Sequence, residues 1–117
     1  ERRIPGVSFR EAYFVPTFDQ YVDKTCGGVQ VHITDPDRVD PIRVGIEMLV
    51  AAHALYPKTK WREDDFDEKR PFWIDKLTGT KRTRQMLEDG ESPEAIVAAW
   101  RREARRFEVT TKRYRLY

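Results

Sequence analysis

One thiol, two imidazoles and a run of loop acids are the reactive side chains that stand out in this chain of 117 residues. Cys26 precedes Gly27 and Gly28, as a nucleophile on an exposed loop would, with His32 or His53 as its base. No further motif supports that pairing, and a lone cysteine usually packs as a small hydrophobe. His32 alternates with Gln30 and Thr34. Such a row can be an ordinary half-exposed strand face, or a line of donors and acceptors suited to the hydroxyl and acetamido groups of a sugar. His53 falls in an apolar helical stripe and reads as a core histidine with one nitrogen satisfied.

The acids Glu63, Asp64, Asp65, Asp67 and Glu68 are hard ligands of the kind calcium takes, but they lack the alternation and mid-loop glycine of an EF-hand. They read as a solvated loop. One cysteine and two histidines fall short of a usual structural zinc site, so no metal or cofactor is expected. Glycoside hydrolysis needs two carboxyls facing each other across the sugar. No spacing here places such a pair, and no catalytic residue is assigned. The chain has no glycine-rich phosphate loop, no HExxH and no GxSxG. Trp100 fits a core stripe, while Trp61 and Trp73 suit either packing or stacking on a sugar ring.

These side chains need elements to hold them. Residues 7–15 alternate as a strand, with Val7, Phe9, Tyr13 and Val15 on one face and Glu11 interrupting. Residues 17–28 form a connection ending in a flexible Cys26-Gly27-Gly28 corner. Residues 29–35 form the clearest strand, with Val29, Val31 and Ile33 facing one way and Gln30, His32 and Thr34 the other. Asp40-Pro41 caps a helix running to about Tyr56, before Pro57. It carries two apolar stripes and is expected to be buried on two sides. A polar loop follows, with Trp61 and Phe66 as anchors, then a turn at 72–77. Thr80 caps a helix over 81–89 stopped by Gly90. Ser92-Pro93-Glu94 starts the last helix, whose inward stripe is Val97, Trp100, Ala104 and Phe107. Tyr114, Leu116 and Tyr117 alternate as a short docking strand.

The expected fold is α+β, a single domain over 1–117 with a small antiparallel sheet covered on one face by about three helices. The face bearing Gln30, His32 and Thr34 is then left for another domain or a ligand to cover. A composition 36% charged and 39% apolar, with six phenylalanines, five tyrosines and three tryptophans, excludes a disordered chain. No apolar run is long enough to span a bilayer. From 101 onward seven Lys or Arg face two Glu, which suits nucleic acid, an acidic polymer or simply a solvated helix. The start Glu1-Arg2-Arg3 carries no leader and predicts a piece of a longer protein.

The line Pro5-Gly6-Val7-Ser8-Phe9-Arg10, then Tyr13-Phe14-Val15-Pro16-Thr17-Phe18 and Tyr21, resembles the C-terminal domain of NamZ-like exo-β-N-acetylmuramidases. The run Cys26-Gly27-Gly28-Val29-Gln30-Val31-His32-Ile33-Thr34-Asp35 is the most specific part. Pro41, Gly45, Leu49, Leu55-Tyr56-Pro57, Leu77, Gly79, Gly90-Glu91-Ser92, Trp100, Phe107 and residues 114–117 continue it in order. The resemblance implies an N-terminal Rossmann-like domain upstream that supplies the catalytic acids. It also implies a cleft between the domains and release of N-acetylmuramic acid from the non-reducing end of peptidoglycan fragments. It makes Gln30 and His32, and more distantly Thr17 and Phe18, candidates for contact with a muropeptide or amino-sugar ligand, and implies an extracytoplasmic location. By itself this chain would be inactive.

Two other readings stand beside it. One is a non-catalytic carbohydrate-binding or interaction module, which requires sugar affinity in the isolated chain. The other is a nucleic-acid-binding domain using the basic tail, which requires salt-sensitive binding. The tail intersperses Glu103 and Glu108 as a surface helix does, so no nucleic-acid partner is expected.

Overall fold

Val7–Phe14 (β1) and Cys26–Ile33 (β2) pair antiparallel, with Val7 opposite Ile33, Ser8 opposite His32 and Phe14 opposite Cys26. The computed structural model describes residues 4–115. The chain divides into two units, Glu1–Pro41 and Ile42–Tyr117. The first contains this two-stranded sheet. The second is helical, with α1 at Pro41–Leu55, α2 at Trp73–Thr78, α3 at Arg82–Glu88, α4 at Pro93–Thr111 and a 3-10 turn at Lys112–Tyr114. The fold class is α+β. It has one helix more than the sequence predicts, because the expected turn near 72–77 is α2.

Opposite partners in an antiparallel ladder project to the same side. One face of the hairpin therefore carries Val7, Phe9, Val29, Val31, Ile33 and Tyr13, and the other carries Ser8, Arg10, Gln30 and His32. The alternation read from the sequence holds, except that Val15 and Thr34 lie beyond the strand ends. The Cys26-Gly27-Gly28 corner does not exist as such, since all three residues belong to β2. The far end of the hairpin is closed at Gly6, whose carbonyl accepts from the backbone N–H of Thr34 at 2.9 Å and of Asp35 at 3.2 Å. Gly6 has φ +80, and a β-carbon there would meet Asp35 O at 2.6 Å and Val39 N at 2.7 Å. Only glycine fits both constraints.

The helical unit packs around Ile46, Leu87, Ile96 and Val97, with Leu49, Val50, Trp61, Met86 and Trp100 against them. Local signals set its helix ends. The Ser92 hydroxyl accepts from Ala95 N at 3.2 Å with Pro93 following. The Thr80 hydroxyl accepts from Arg82 N at 3.2 Å. Gly90, at φ +72, follows α3.

Three expectations fail in this unit. Helix α1 buries Val44, Ile46 and Glu47, but Met48, Ala51 and Leu55 of its second stripe are exposed. The core cluster takes Ile46, Leu49 and Val50 from α1, and of the second stripe Val44 is buried. On α4 the inward stripe ends after Trp100, with Ala104 exposed and Phe107 70% exposed. Tyr114 sits in the 3-10 turn rather than a strand, and Leu116 and Tyr117 lie outside the described residues.

Candidate functional site

The hairpin's polar face is built by register alone. Ser8 and His32 form one cross-strand pair, and Arg10 and Gln30 form the next. That stacks a hydroxyl, an imidazole, a guanidinium and a carboxamide on one exposed face. Among the described residues none of these four side chains is engaged in a hydrogen bond or ion pair. Together they supply donors and acceptors for sugar hydroxyls and amides, plus a cation for a carboxylate. Gln30 and His32 were legible in the sequence as this row. The alternation of β1 alone puts Ser8 and Arg10 on the side away from Phe9. Their partnership needed the register.

Thr17 and Phe18 lie elsewhere, in the 15–25 connection at the other end of the hairpin. Phe18 is 80% exposed and Tyr21 is 64% exposed. Six ladder positions separate the Phe14–Cys26 pair from Ser8–His32, roughly 20 Å at about 3.4 Å per residue. The four candidates therefore form two places, and a single sugar ring touches only one. The connection holds Asp19, Tyr21 and Asp23 at φ 65, 61 and 59, a left-handed conformation that costs bulky residues energy. It is tied by Asp23 N donating to Pro16 O at 3.1 Å and Lys24 N to Tyr21 O at 3.0 Å.

Cys26 sits half-buried at the start of β2, its thiol 3.6 Å from the Lys24 carbonyl. His32 is on the same face but six residues along the strand, far beyond proton-transfer reach. A Cys26–His32 dyad does not form. His53 stacks on Trp61 with ring centroids 4.6 Å apart. Its Nε2 is shielded from solvent with no hydrogen-bond partner among the described residues.

The acid loop is only partly solvated. Lys76 on α2 binds Asp64, and Asp67 at 3.2 Å. Asp64 also accepts from Phe66 N at 2.9 Å. The Lys76 ammonium, then the Phe66 amide, hold the Asp64 carboxyl below its ordinary value, and Lys76 does the same to Asp67. Asp64 conversely raises Lys76. A second knot joins α2 to α3. Arg84 reaches Asp75 through Nε at 3.0 Å and Nη2 at 3.1 Å, and Glu88 at 3.1 Å. Asp75 first, then Glu88, raises Arg84 further. With their carboxyls lowered by Lys76, Asp64 and Asp67 are poor general acids. No group of three or more metal-ligating side chains occurs among the described residues.

The tryptophans resolve differently. Trp61 packs against the core and donates to Glu88 at 2.9 Å. Trp100 donates to the buried Thr83 hydroxyl at 2.9 Å. Trp73 is 39% exposed, with Lys76 4.9 Å and Arg62 5.5 Å from its ring centroid. Its ring is committed to cations, so a sugar would have to displace them.

Against known proteins, all of residues 1–117 match the family model for the exo-beta-N-acetylmuramidase NamZ C-terminal region. The chain is 34% identical over 114 residues to the peptidoglycan beta-N-acetylmuramidase NamZ of Bacillus subtilis (strain 168), covering 97% of this chain and 26% of that protein. It also resembles the solved structure of a DUF1343 family protein from Bacteroides fragilis NCTC 9343, with a TM-score of 0.73 at 26% identity. That likeness covers 97% of this chain and 29% of the other. The chain thus spans about a quarter of each relative's length.

Proposed function

The chain belongs to the family of NamZ C-terminal domains, and on that premise we propose that it forms one wall of the substrate cleft of an extracytoplasmic peptidoglycan glycosidase. That enzyme removes N-acetylmuramic acid from the non-reducing end of wall fragments. Its catalytic acids come from an N-terminal domain of the same polypeptide, and this chain contributes recognition.

The observation that carries the reading is the uncommitted row of Ser8, Arg10, Gln30 and His32 on one hairpin face. Exposed polar groups with no internal partner are available to a ligand at little reorganisation cost. Gln30 and His32 suit the acetamido and hydroxyl groups of the sugar, and Arg10 suits its lactyl carboxylate. The ion-paired state of Asp64, Asp67 and Asp75 supports a non-catalytic role for the helical unit. A second reading, a carbohydrate-binding module, draws on the exposed rings of Tyr13, Phe18 and Tyr21 near one end of the hairpin.

The test is hydrolysis of a chromogenic N-acetylmuramic acid glycoside by the full-length protein, with His32→Ala and Gln30→Ala beside it. Release by the parent and a clear rise in KM in both variants is expected. An inert parent, together with sugar affinity in the isolated chain, would replace the first reading with the second.

A further inference from the structure

We propose that a groove along α4 is a binding site for a small oxyanion group, a carboxylate or a phosphate. The groove encloses about 310 Å³ and is lined by Arg43, Glu94, Val97, Ala98, Arg101, Arg102 and Arg105. It lies wholly within the helical unit, and neither the hairpin row nor any assignment drawn from the family uses it.

All three acids of α4 are paired. Glu94 takes Arg43 at 3.2 Å, Glu103 takes Arg82 at 3.0 Å, and Glu108 takes Arg115 at 3.8 Å. Arg43 is also 3.5 Å from the buried Glu47. Each of those three acids is thus committed to a cation, and two of the cations lie outside the groove. Arg102 and Arg105 have no hydrogen-bond or ion-pair partner among the described residues. They stand three apart on one helix, and Arg101 and Arg105 stand four apart. Both spacings put like charges side by side and disfavour the helix. An oxyanion seated between them reverses that repulsion.

The shape of the groove suits the same ligand. A guanidinium offers parallel N–H donors that match both oxygens of a carboxylate or two of a phosphate. Val97 and Ala98 give the groove an apolar wall, and Val97 is buried, so water competes less at that side. Arg43 is braced by Glu94 and Glu47 and keeps its place when the groove fills. The exposed position of Arg102 and Arg105 makes binding weaken as salt rises.

The site is tested on the isotopically labelled chain by following arginine Nε–H signals. The probes are inorganic phosphate, N-acetylmuramic acid as a carboxylate, and N-acetylglucosamine as its uncharged counterpart. Saturable shifts at Arg102 and Arg105 are expected with phosphate, with N-acetylmuramic acid or with both, and none with N-acetylglucosamine. Whichever of the two anions saturates identifies the source of the oxyanion. The double variant Arg102→Gln/Arg105→Gln should lower affinity about tenfold or more, as loss of a charge-assisted hydrogen bond does. Arg113→Gln, in the 3-10 turn outside the groove, should leave it unchanged. Lys at both positions should retain part of the affinity, since it keeps charge but loses the fork. Absence of saturation with either anion, an equal response to N-acetylglucosamine, or unchanged affinity in the double glutamine variant would overturn the proposal. None of these outcomes depends on glycosidase activity, so the groove and the cleft-wall reading stand or fall separately.

Discussion

The ring of Tyr13 lies over Gly27, its Cε1 3.6 Å from where a β-carbon on that glycine would stand, and Phe14 lies 3.5 Å from the same point on Gly28. Two aromatic side chains on β1 thus cover the two glycines of β2, shielding a stretch of strand that has no side chains of its own. Neither glycine needs a positive φ, and both distances are ordinary van der Waals contact.

Gly28→Ala is therefore expected to be tolerated or mildly stabilising, by up to about 1 kcal/mol, since it restricts the unfolded chain. Gly6→Ala should do the opposite. Its left-handed backbone alone costs about 1–2 kcal/mol, and the clash with Asp35 and Val39 adds to that. Amide exchange of Val29 and Val31 separates the two cases. Faster exchange in the Gly28 variant, or none in the Gly6 variant, would refute this account of the hairpin.

What the sequence disclosed follows from how far each signal reaches along the chain. Ser92-Pro93, Thr80 and Gly90 act within one helical turn, so those helix ends were readable. Alternation fixed both hairpin faces because it needs only the strand itself. Cys26-Gly27-Gly28 reads locally as a break, and its place in β2 depends on Tyr13 and Phe14 across the ladder. Asp64 and Asp67 read as solvated because their partner, Lys76, lies 12 and 9 residues on. Helix α2 carries little signal in the sequence, because it has six residues and its N-cap, Phe72, makes no side-chain cap. Of the candidate site, the polarity of Gln30 and His32 was visible, while their distance from Thr17 and Phe18 was not.

That distance gives a prediction about substrate length, resting on the cleft-wall reading. His32→Ala should impair hydrolysis of short and long wall fragments alike. Phe18→Ala should impair only fragments long enough to reach the far end of the hairpin, by about 1–3 kcal/mol if the ring stacks as aromatics do at interfaces. KM measured against fragment length checks this. Equal sensitivity of both variants at every length would mean that the two places are not used by one extended ligand.

The Asp64–Lys76–Asp67 triad predicts a pH window. Both carboxyls titrate lower in the folded protein than their ordinary value of 3.8. Their contribution is present above that value and is lost as pH falls through the lower folded one. Lys76 is raised, so its contribution is complete below its ordinary value of 10.5 and lost only above it. The 58–71 loop should keep its amide protection from about pH 5 to pH 9 and lose it in acid. Lys76→Met should shrink the low-pH step by removing its largest cause, leaving the smaller part that Phe66 N gives Asp64 and Arg70 gives Asp67. A step of undiminished size in that variant would place its origin elsewhere.

Thr83 offers the sharpest test of the helical core. It is 1% exposed, and its hydroxyl receives the Trp100 indole N–H at 2.9 Å. Thr83→Val keeps the volume but leaves that donor without its acceptor in a half-buried place. An unsatisfied group of this kind costs about 1–3 kcal/mol. Ile96→Ala, at a wholly buried position, should cost about 2–5 kcal/mol through the cavity it leaves. Phe107→Ala, on the exposed end of α4, should stay within about 0.5 kcal/mol. Urea denaturation of the three variants ranks them. A Thr83→Val change as mild as Phe107→Ala would mean that Trp100 is held by packing alone and the hydrogen bond contributes nothing net.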